Sequence, residues 1–599
     1  MDPLIDPREL AFQLYDVLDV ESLTTRSQFN DHSRETFDAA LEASGRLAEE
    51  RFRPHYHRSD AEEPRIVNGR VQLIPEIGAA IEAFAKSGLL CAVRPYSQGG
   101  MQLPWTVAQA CYAHFHAANV STFAYCFLSI AAANLLEVFG SPEQKRHYME
   151  PLLNGRYLGT MCLSEPHAGS SLADIRTRAI PRLDGRFLIR GSKMWISGGE
   201  HDLTENIVHL VLARIEGSPA GVKGISLFVV PKRRLAADGG TGVFNGITLA
   251  GLNHKMGYRG TVNTALNFGE SAECIGELVG EPKSGLAQMF HMMNEARVVV
   301  GMSAAALGLA GYRVSLDYAR KRPQGRTVLS KNPSTPQVMI IEHADVKRML
   351  MEQKVYAEGA LALGLYCAYL VDEQKSAVQE SDVRRAGWLL DILTPIMKAW
   401  SSDWCLRANS NAIQVLGGAG YTRDFPVEQI YRDNRLNPIH EGTNGIQAID
   451  LLGRKAWMDG GVRLHALMTA MRYDAAANAA RGDVSVYAGQ LLRAVDLVEE
   501  VTKELLARGG ATINSATLGN ASLYLDLLGH VVIAWIWLRQ AACSADRLHA
   551  SGTEANNFYR GKLHAAGFFF RRELPLIEHK ADLLVAMDDA CETMRNEWF

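Results

Sequence analysis

Three separated segments of this 599-residue chain gather the residue types that acid–base and cofactor chemistry use. The first is Met161-Cys162-Leu163-Ser164-Glu165-Pro166-His167-Ala168-Gly169-Ser170-Ser171, where a strand-like run gives way to hydroxyls, a carboxylate and an Ala-Gly-Ser turn. The second is Lys193-Met194-Trp195-Ile196-Ser197-Gly198-Gly199. The third is discontinuous: Gln414-Val415-Leu416-Gly417-Gly418-Ala419-Gly420-Tyr421, then Tyr431-Arg432-Asp433, then His440-Glu441-Gly442-Thr443-Asn444-Gly445-Ile446-Gln447. Taken singly, each has a plain structural explanation. Small residues make a turn, a strand Trp sits in a core, a glycine run ends a helix, and His-Glu-Gly-Thr caps the next helix with Glu near its positive end.

Other chemistries lose their usual signatures. Gly240-Thr241-Gly242 and Gly418-Ala419-Gly420 begin like a dinucleotide fingerprint, but Asn245 and Arg423 hold the sixth position. There is no GxxxxGK[ST] for phosphoryl transfer and no GxSxG elbow for serine hydrolysis. His440-Glu441 opens like a zinc-binding HExxH, but residue 444 is Asn, so no metal is expected. The nine cysteines form no CxxC pair, and their odd count argues against a closed disulfide framework. They read as small buried apolar residues in a reducing compartment.

The elements that must position these segments follow from composition and periodicity. The length suggests about four structural units. Hydrophobic residues at 47% and charged ones at 21% are ordinary for a globular protein with a large core. Sixty-two basic against sixty-six acidic residues leave a net charge of −4, without the basic excess that nucleic-acid binding calls for. Asp2, Asp6, Glu9, Asp16, Asp19 and Glu21 argue against a signal or transit peptide, so a cytoplasmic protein is expected. Residues 104–136 lack any charge, but Gln109, His114, His116, Asn119, Ser121, Ser129 and Asn134 make two buried helices the better reading than a membrane span. Residues 530–538 are read in the same way, and no integral membrane association is expected.

Residues 30–155 carry a helical period, with Ser141-Pro142-Glu143-Gln144 as a helix start. Short β-branched and aromatic runs at 158–163, 186–190, 207–213, 225–230 and 262–268 predict an antiparallel β-domain, bounded by turns such as Leu183-Asp184-Gly185 and Ala237-Asp238-Gly239-Gly240. Helices are predicted near 285–321, 339–375, 383–415 and 442–459, with an exposed three-proline loop at 322–336 and a break at Asp459-Gly460-Gly461. The domains are therefore 1–157 helical, 158–280 β, 281–459 a helical bundle and 460–599 helical. The fold class is mainly α with a central β-domain.

In this order and at this spacing the three segments resemble the FAD-dependent acyl-CoA dehydrogenase family. The resemblance runs from about residue 35 to 459 and includes Tyr318-Ala319-Arg320-Lys321-Arg322 and Ile341-Glu342-His343. The further 140 or so residues resemble the larger members with a C-terminal helical extension. It implies that a β-domain and two four-helix domains sandwich FAD, and that an acyl-CoA thioester is oxidised to the trans-2-enoyl-CoA. Glu441 matches the base that takes the α-proton, while the β-hydride goes to flavin N5. An apolar pocket would raise the pKa of such a carboxylate towards the working pH.

Met161, Leu163 and Ser164 are implied at the flavin pyrimidine edge, Trp195 against the ring, Ser197 near N5, and Thr443 helping to hold the flavin. Ser170 is implied at the cofactor and CoA, and Asn294 and Arg297 near thioester and pantetheine. Arg322, Gln414, Gly417 and Gly418 are implied to reach the FAD of a neighbouring subunit, so a homodimer is expected. Three positions depart from the family pattern: His167 stands where a smaller residue is common, Ser171 where Asp is frequent, and Gly445 where some members have Gln. In some branches the base sits at the position of Ala296; Glu295 is one residue off, about 100° around a helix, and reads as structural. The expected substrate is a medium- to long-chain fatty acyl-CoA of β-oxidation, with 3-(methylthio)propanoyl-CoA as the alternative. Electron-transfer flavoprotein is the expected acceptor. An oxidase passing electrons to O₂ and a non-catalytic flavin-binding homologue are the competing readings.

Overall fold

The computed structural model describes residues 3–236, 240–329, 332–509, 514–550 and 553–599. Its packing divides the chain into two units: Asp38–Leu103 with His114–Ala296, and Met1–Phe37 with Pro104–Ala113 and Arg297–Phe599.

The first unit is built around an eight-stranded sheet: β1 Tyr157–Cys162, β2 Arg178–Pro181, β3 Phe187–Ser197, β4 Asn206–Ile215, β5 Ile225–Pro231, β6 Ile247–Leu252, β7 Asn263–Phe268 and β8 Ile275–Leu278. The strand order is β6-β7-β3-β8-β5-β4-β1, with β2 joining β3 to β4. The five expected runs all lie in strands. The sheet is largely antiparallel, but β1 and β2 both run parallel to β4, which corrects the purely antiparallel expectation. Three strands escaped the reading (β2, β6 and β8), as did two hairpins, Arg65–Val67 with Arg70–Gln72 and Arg233–Leu235 with Thr241–Phe244. Residues 237–239 of one expected turn lie outside the described residues.

β4 and β5 are mostly apolar and buried along almost their whole length because both sheet faces are covered. Val208, Leu210 and Leu212 pack on Leu135, Leu136 and Leu152. Val211 and Ala213, pointing the other way, pack with Ile189, Phe228 and Phe268. The charge-free stretch is the helix α1, Trp105–Phe139, broken at Asn119 (φ −164°, ψ 85°), so two helical pieces do occur there. Within the first unit, Ser129 of α1 accepts from Gly159 N at 3.0 Å. Any side chain at residue 159 would place its Cβ 2.7 Å from that of Ala132, so β1 lies close against α1 because residue 159 is Gly.

The second unit is helical. The helix α2 spans Gly285–Lys321, as expected, and its residues from 297 onward belong to this unit. The helices α3, Ala344–Ser376, and α4, Glu380–Leu416, are joined by three residues, so they form a hairpin. Pro395 inside α4 cannot donate to the Asp391 carbonyl, and Lys455 Nζ donates to that carbonyl instead, at 2.6 Å. The expected helix at 442–459 is shorter: α5 is Asn444–Asp450, followed by a wide turn at Leu451–Lys455. Asp459, Gly460 and Gly461 all take left-handed φ and break the chain where expected.

The last block includes Met458–Asn478, Ser485–Gly509, α6 Ala521–Ala550, Thr553–Phe568 and Ile577–Ala586. Lys562 ties it to the N-terminal segment, donating to Glu9 at 2.6 Å, Glu358 at 2.7 Å and Gln540 at 3.1 Å. Among the described residues four helices are long and apolar enough to cross a membrane, but 61–89% of their apolar windows are buried inside the fold. All nine cysteines are free; Cys543 is half-buried and Cys591 exposed, against the expectation that all are buried. Ser141 caps its helix with the expected box, reciprocated by Gln144.

The start of α1 depends on one buried carboxylate. Asp372 accepts from Trp105 N at 2.7 Å and from Thr106 N and Oγ1 at 2.9 and 2.6 Å. Burial outweighs these bonds and lifts its pKa to about 6. The folded state therefore binds this proton more tightly than the unfolded chain, and the carboxylate's net contribution shrinks as pH rises from about 4 to about 6. Asp372→Ala should lower stability by about 1–3 kcal/mol at pH 5, because buried donors lose their acceptor. The loss should be smaller at pH 7, as urea unfolding at the two pH values will show.

Candidate functional site

In the β-unit, Met161, Leu163, Ser164, Trp195 and Ser197 come together at the ends of β1 and β3, strands that are not neighbours in the sheet order. A buried clip joins them. Lys193 Nζ donates to the Leu163 carbonyl at 2.9 Å and to Glu165 Oε1 at 3.0 Å, and Met194 N donates to the Ser164 carbonyl at 3.0 Å. Ser164 is held on both sides. Glu165 also accepts from Arg176 N at 2.7 Å and from Thr177 N and Oγ1 at 3.0 and 2.6 Å, which closes the loop carrying Ser170. Its pKa falls: burial raises it, but Lys193 and these bonds outweigh burial. The unexpected His167 and Ser171 knit the same loop, His167 facing the Asp174 carbonyl at 3.2 Å and Ser171 donating to the Asp174 carboxylate. Ser170 is exposed on that loop.

Trp195 owes its position to a register shift. Lys193 pairs with Leu266 and Ile196 with Thr264, so Met194 and Trp195 together oppose Ala265. This bulge turns Trp195 to φ +64° and leaves it 63% exposed. A left-handed non-glycine residue costs about 1–2 kcal/mol, and most tryptophans are buried, so the position is held against local preference. Ser197 Oγ accepts from Asn263 Nδ2 at 3.2 Å, a bond that does not use its own proton. An exposed indole with the half-buried hydroxyl residues Ser164 and Ser197 at the same strand ends is a set that fits a flat heterocycle such as the flavin of FAD.

In the helical unit, Glu441 lies in a turn where it and Gly442 are both left-handed, at φ +52° and +82°. Gln447 holds that turn, donating to the Gly442 carbonyl at 3.2 Å and the Glu441 carbonyl at 3.4 Å. A Cβ at residue 442 would lie 2.5 Å from Gln447 Nε2, so the glycine is required there. Thr443, not Glu441, caps α5, accepting from Ile446 N at 3.4 Å. The Glu441 carboxyl has a raised pKa because burial outweighs the opposing pull of Arg297 and then Lys398. His440 is pushed down to about 3 by burial and by Lys398, so it stays neutral beside the carboxyl. Arg297 is buried, donates to Asp450 at 3.4 Å and interacts electrostatically with Glu441. The Asn294 side chain lies outside the described residues.

Arg322, Gln414, Gly417 and Gly418 occupy a different place. Arg322 follows the end of α2 and Gln414 is in the last turn of α4, both at the apolar cluster of Ala319, Ile340, Ala412 and Leu416. Residues 297 and 321 are separated by about 36 Å along α2 at 1.5 Å per residue, so this group is remote from Glu441. Its four residues are exposed, and nothing lies within 4 Å of where a Cβ would project at Gly417 or Gly418.

Sequence reasoning missed the clip residues Lys193 and Glu165 as positioning groups, and it missed Lys398 and Asn444 altogether. Lys398 Nζ donates to Asn444 Oδ1 at 2.9 Å and is fully buried. The available signal was a lone Lys in the apolar run Ile392-Leu393-Thr394-Pro395-Ile396-Met397-Lys398-Ala399-Trp400. Glu295 accepts from Asn134 Nδ2 at 2.9 Å, and Asn134 in turn accepts from Arg94, as expected of a structural carboxylate. Among the described residues no group of three or more His, Cys, Asp or Glu side chains could hold a metal.

Helical segments before and after a β-sheet, an outward aromatic at a strand end of the β-unit and, in the helical unit, a carboxyl with raised proton affinity are features that fit the class of flavin-dependent oxidoreductases. Four family descriptions match in succession: acyl-CoA dehydrogenase N-terminal domain over 35–156, middle domain over 160–270, C-terminal domain over 283–456, and an acetyl-CoA dehydrogenase C-terminal-like domain over 467–595. The 3-methylmercaptopropionyl-CoA dehydrogenase of Ruegeria pomeroyi is 36% identical over 93% of this chain and 92% of its own length. The broad-specificity linear acyl-CoA dehydrogenase FadE5 of Mycobacterium tuberculosis is 33% identical over 97% of each. The crystal structure of an acyl-CoA dehydrogenase complexed with FAD from Bacillus anthracis shares the fold, with a TM-score of 0.75 and 19% identity over 96% of this chain and 92% of that one. The chain belongs to the acyl-CoA dehydrogenase family. It is an FAD-dependent enzyme that oxidises acyl-CoA thioesters.

Breaking the Lys193–Glu165 clip tests how far the β-unit depends on it. Lys193→Met leaves a buried carboxylate unpaired and should cost about 3–5 kcal/mol, whereas Lys193→Met with Glu165→Gln should recover most of that. Chemical denaturation of the two variants measures the difference.

Proposed function

We propose that Glu441 removes the α-proton of the acyl-CoA. The observation that carries this reading is a carboxyl held by a left-handed turn, with its proton affinity raised by burial and two cations beside it. A base for a C–H acid must hold a proton more tightly than an ordinary carboxylate yet be ionised when substrate arrives. Burial supplies the first condition, and Arg297 and Lys398 supply the second. The bound FAD supplies the acceptor for the hydride that leaves the β-carbon.

On this reading Met161, Leu163, Ser164, Trp195, Ser197 and Thr443 hold the flavin. Ser170 touches the cofactor and CoA, and Asn294 and Arg297 orient the thioester. Arg322, Gln414, Gly417 and Gly418, remote from Glu441 in one chain, bind the FAD of a second copy, which makes the enzyme a homodimer. Electrons pass to electron-transfer flavoprotein in the cytoplasm.

The substrate we propose is a straight medium- to long-chain acyl-CoA of fatty acid β-oxidation, by the large-member architecture with its C-terminal helical block. The likeness to the Ruegeria pomeroyi protein, which by its name acts on 3-methylmercaptopropionyl-CoA, supports a second reading. The two are close chemically: 3-(methylthio)propanoyl is a pentanoyl chain with sulfur in place of one methylene. A soft thioether makes favourable contacts with aromatic and apolar walls, so one cavity can accept both.

Glu441→Gln should still bind FAD and acyl-CoA but reduce flavin about 10²–10⁴-fold more slowly in a stopped-flow single turnover. Wild-type reduction would move the base elsewhere, and Glu295→Gln, expected to be nearly silent, identifies whether it lies there. A series of acyl-CoAs from butanoyl to dodecanoyl, with 3-(methylthio)propanoyl-CoA beside pentanoyl-CoA, should give the highest kcat/KM on the longer straight chains. A preference for the thioether over pentanoyl and all longer chains would establish the second reading instead.

A further inference from the structure

Among the described residues four lysines are buried to 1% exposure or less: Lys193, Lys398, Lys455 and Lys562. Three of them meet a carboxylate at hydrogen-bond distance. Lys193 has Glu165 at 3.0 Å, Lys455 has Asp391 at 2.8 Å, and Lys562 has Glu9 at 2.6 Å and Glu358 at 2.7 Å. Lys398 differs. Among the described residues its ammonium donates to a neutral amide, Asn444 Oδ1 at 2.9 Å, and forms no ion pair within 4 Å. A buried ammonium without a carboxylate in contact is an expensive arrangement, which a purely structural lysine would not need.

The seat of this ammonium is well built. Asn444 Nδ2 donates to Ser402 Oγ at 3.1 Å and to the Ala399 carbonyl at 3.3 Å, and Ser402 Oγ donates back to that carbonyl at 3.0 Å. These bonds fix the amide so that its oxygen faces Lys398. Asn444 is also the third residue after Glu441, and its N–H donates to the Pro438 carbonyl at 3.1 Å, closing the turn that carries the carboxyl. The charged groups acting on Lys398 are Asp403 of its own helix, Glu441 of the turn and Arg297 of α2, with His440 neutral beside it. Those acting on Glu441 are Arg297 and Lys398. Arg297 is already committed to Asp450 at 3.4 Å.

We infer that Lys398 is a positioning residue for the base: seated on Asn444, its ammonium adds to Arg297 the charge against which the Glu441 carboxylate stays ionised and ready to take the α-proton. The inference rests on the reading of Glu441 as the base. It makes the coupling reciprocal, since a ligand or proton that changes one site must change the other by the same free energy. When Glu441 receives the substrate proton, the ammonium loses an attracting charge and gives up its own proton more readily. Burial already pulls the Lys398 pKa down to about 7, so that release falls in the physiological range.

The test is an infrared difference titration of the Glu441 carboxyl in the FAD-loaded protein, with Glu441→Gln as the blank, in wild type, Lys398→Met and Lys398→Arg. Lys398→Met should move the midpoint up by about one pH unit or more, and Lys398→Arg should leave it at or below the wild-type value. The acid limb of flavin reduction should move with it, so that Lys398→Met is about tenfold slower below the new midpoint and equal to wild type well above it. Should Lys398→Met not fold, Lys398→Gln keeps a donor for Asn444 without the charge and makes the same comparison. An unchanged midpoint in the neutral variant overturns the inference while leaving the base assignment intact. Wild-type flavin reduction by Glu441→Gln overturns the base assignment itself, whatever Lys398 does.

Discussion

Taking a charge out of water is the costliest thing this chain does, and its architecture follows the partners those charges need. An isolated buried ion would neutralise or unfold its surroundings. Lys455 replaces the hydrogen bond that Pro395 cannot make and pairs with Asp391, fixing the turn after α5 on α4. Lys562 joins the N-terminal segment, α3 and the last helical block around Glu9 and Glu358. Lys193 draws the ends of β1 and β3 together around Ser164. Breaking any one of these would leave a buried charge unpaired, so each fixes geometry more firmly than its net contribution to stability suggests. The carboxyl of Glu441 is under the same constraint but, among the described residues, meets no cation in a contact ion pair, and burial raises its proton affinity against Arg297 and Lys398.

Backbone strain falls on the same residues. Trp195 and Glu441 both take left-handed φ without being glycine, each at a cost of about 1–2 kcal/mol. In neither case does the residue choose the conformation. A bulge against Ala265 turns Trp195 outward, and Gln447, by binding two consecutive carbonyls, holds Glu441 and Gly442 in their turn. Strain of this kind persists where surrounding bonds over-determine it. Here the surroundings are the buried Gln447 side chain for Glu441 and the strand pairing on either side of the bulge for Trp195.

Much of this was legible in the residues because local signals and global packing agree. Helices α2 and α4 end where expected, since each closes on a sequence that cannot continue: the Pro323 loop and Gly417. The five runs became strands because their β-branched and aromatic residues pack on the sheet, continuously in β1, β4 and β5 and alternately in β3 and β7. What could not be read depends on register and on distant partners. The bulge at Met194 and Trp195 exists only in relation to Ala265, and no periodicity within β3 announces it. The parallel pairing of β1 with β4 joins residues 157 and 206, too far apart in sequence for a turn signal. The helix expected over 442–459 changes to a wide turn midway, where Gly453 is the one weak helix former in residues 451–457. Lys398 was hidden for the opposite reason: inside an apolar helix run, one Lys looks like an interruption of the core instead of part of a site.

The length of α2 bears on how the enzyme is assembled. It carries Arg297 beside the base and ends just before Arg322, and the helix between them spans about 36 Å. A rigid helix cannot bring both arginines to one ligand in one chain, nor does any other element carry Gln414 or Gly418 back towards Glu441. If Arg297 serves the thioester and Arg322 serves an FAD bound beside such a thioester, the distance has to be met by symmetry. A two-fold partner places its own distal end where the first chain needs it, and the same contact is made twice. The glycines at 417 and 418, with open space on the side where a Cβ would project, suit that role because phosphate groups can then approach the backbone directly. On the proposed reading, the helix that positions the thioester arginine also fixes how far away the second copy's cofactor must lie.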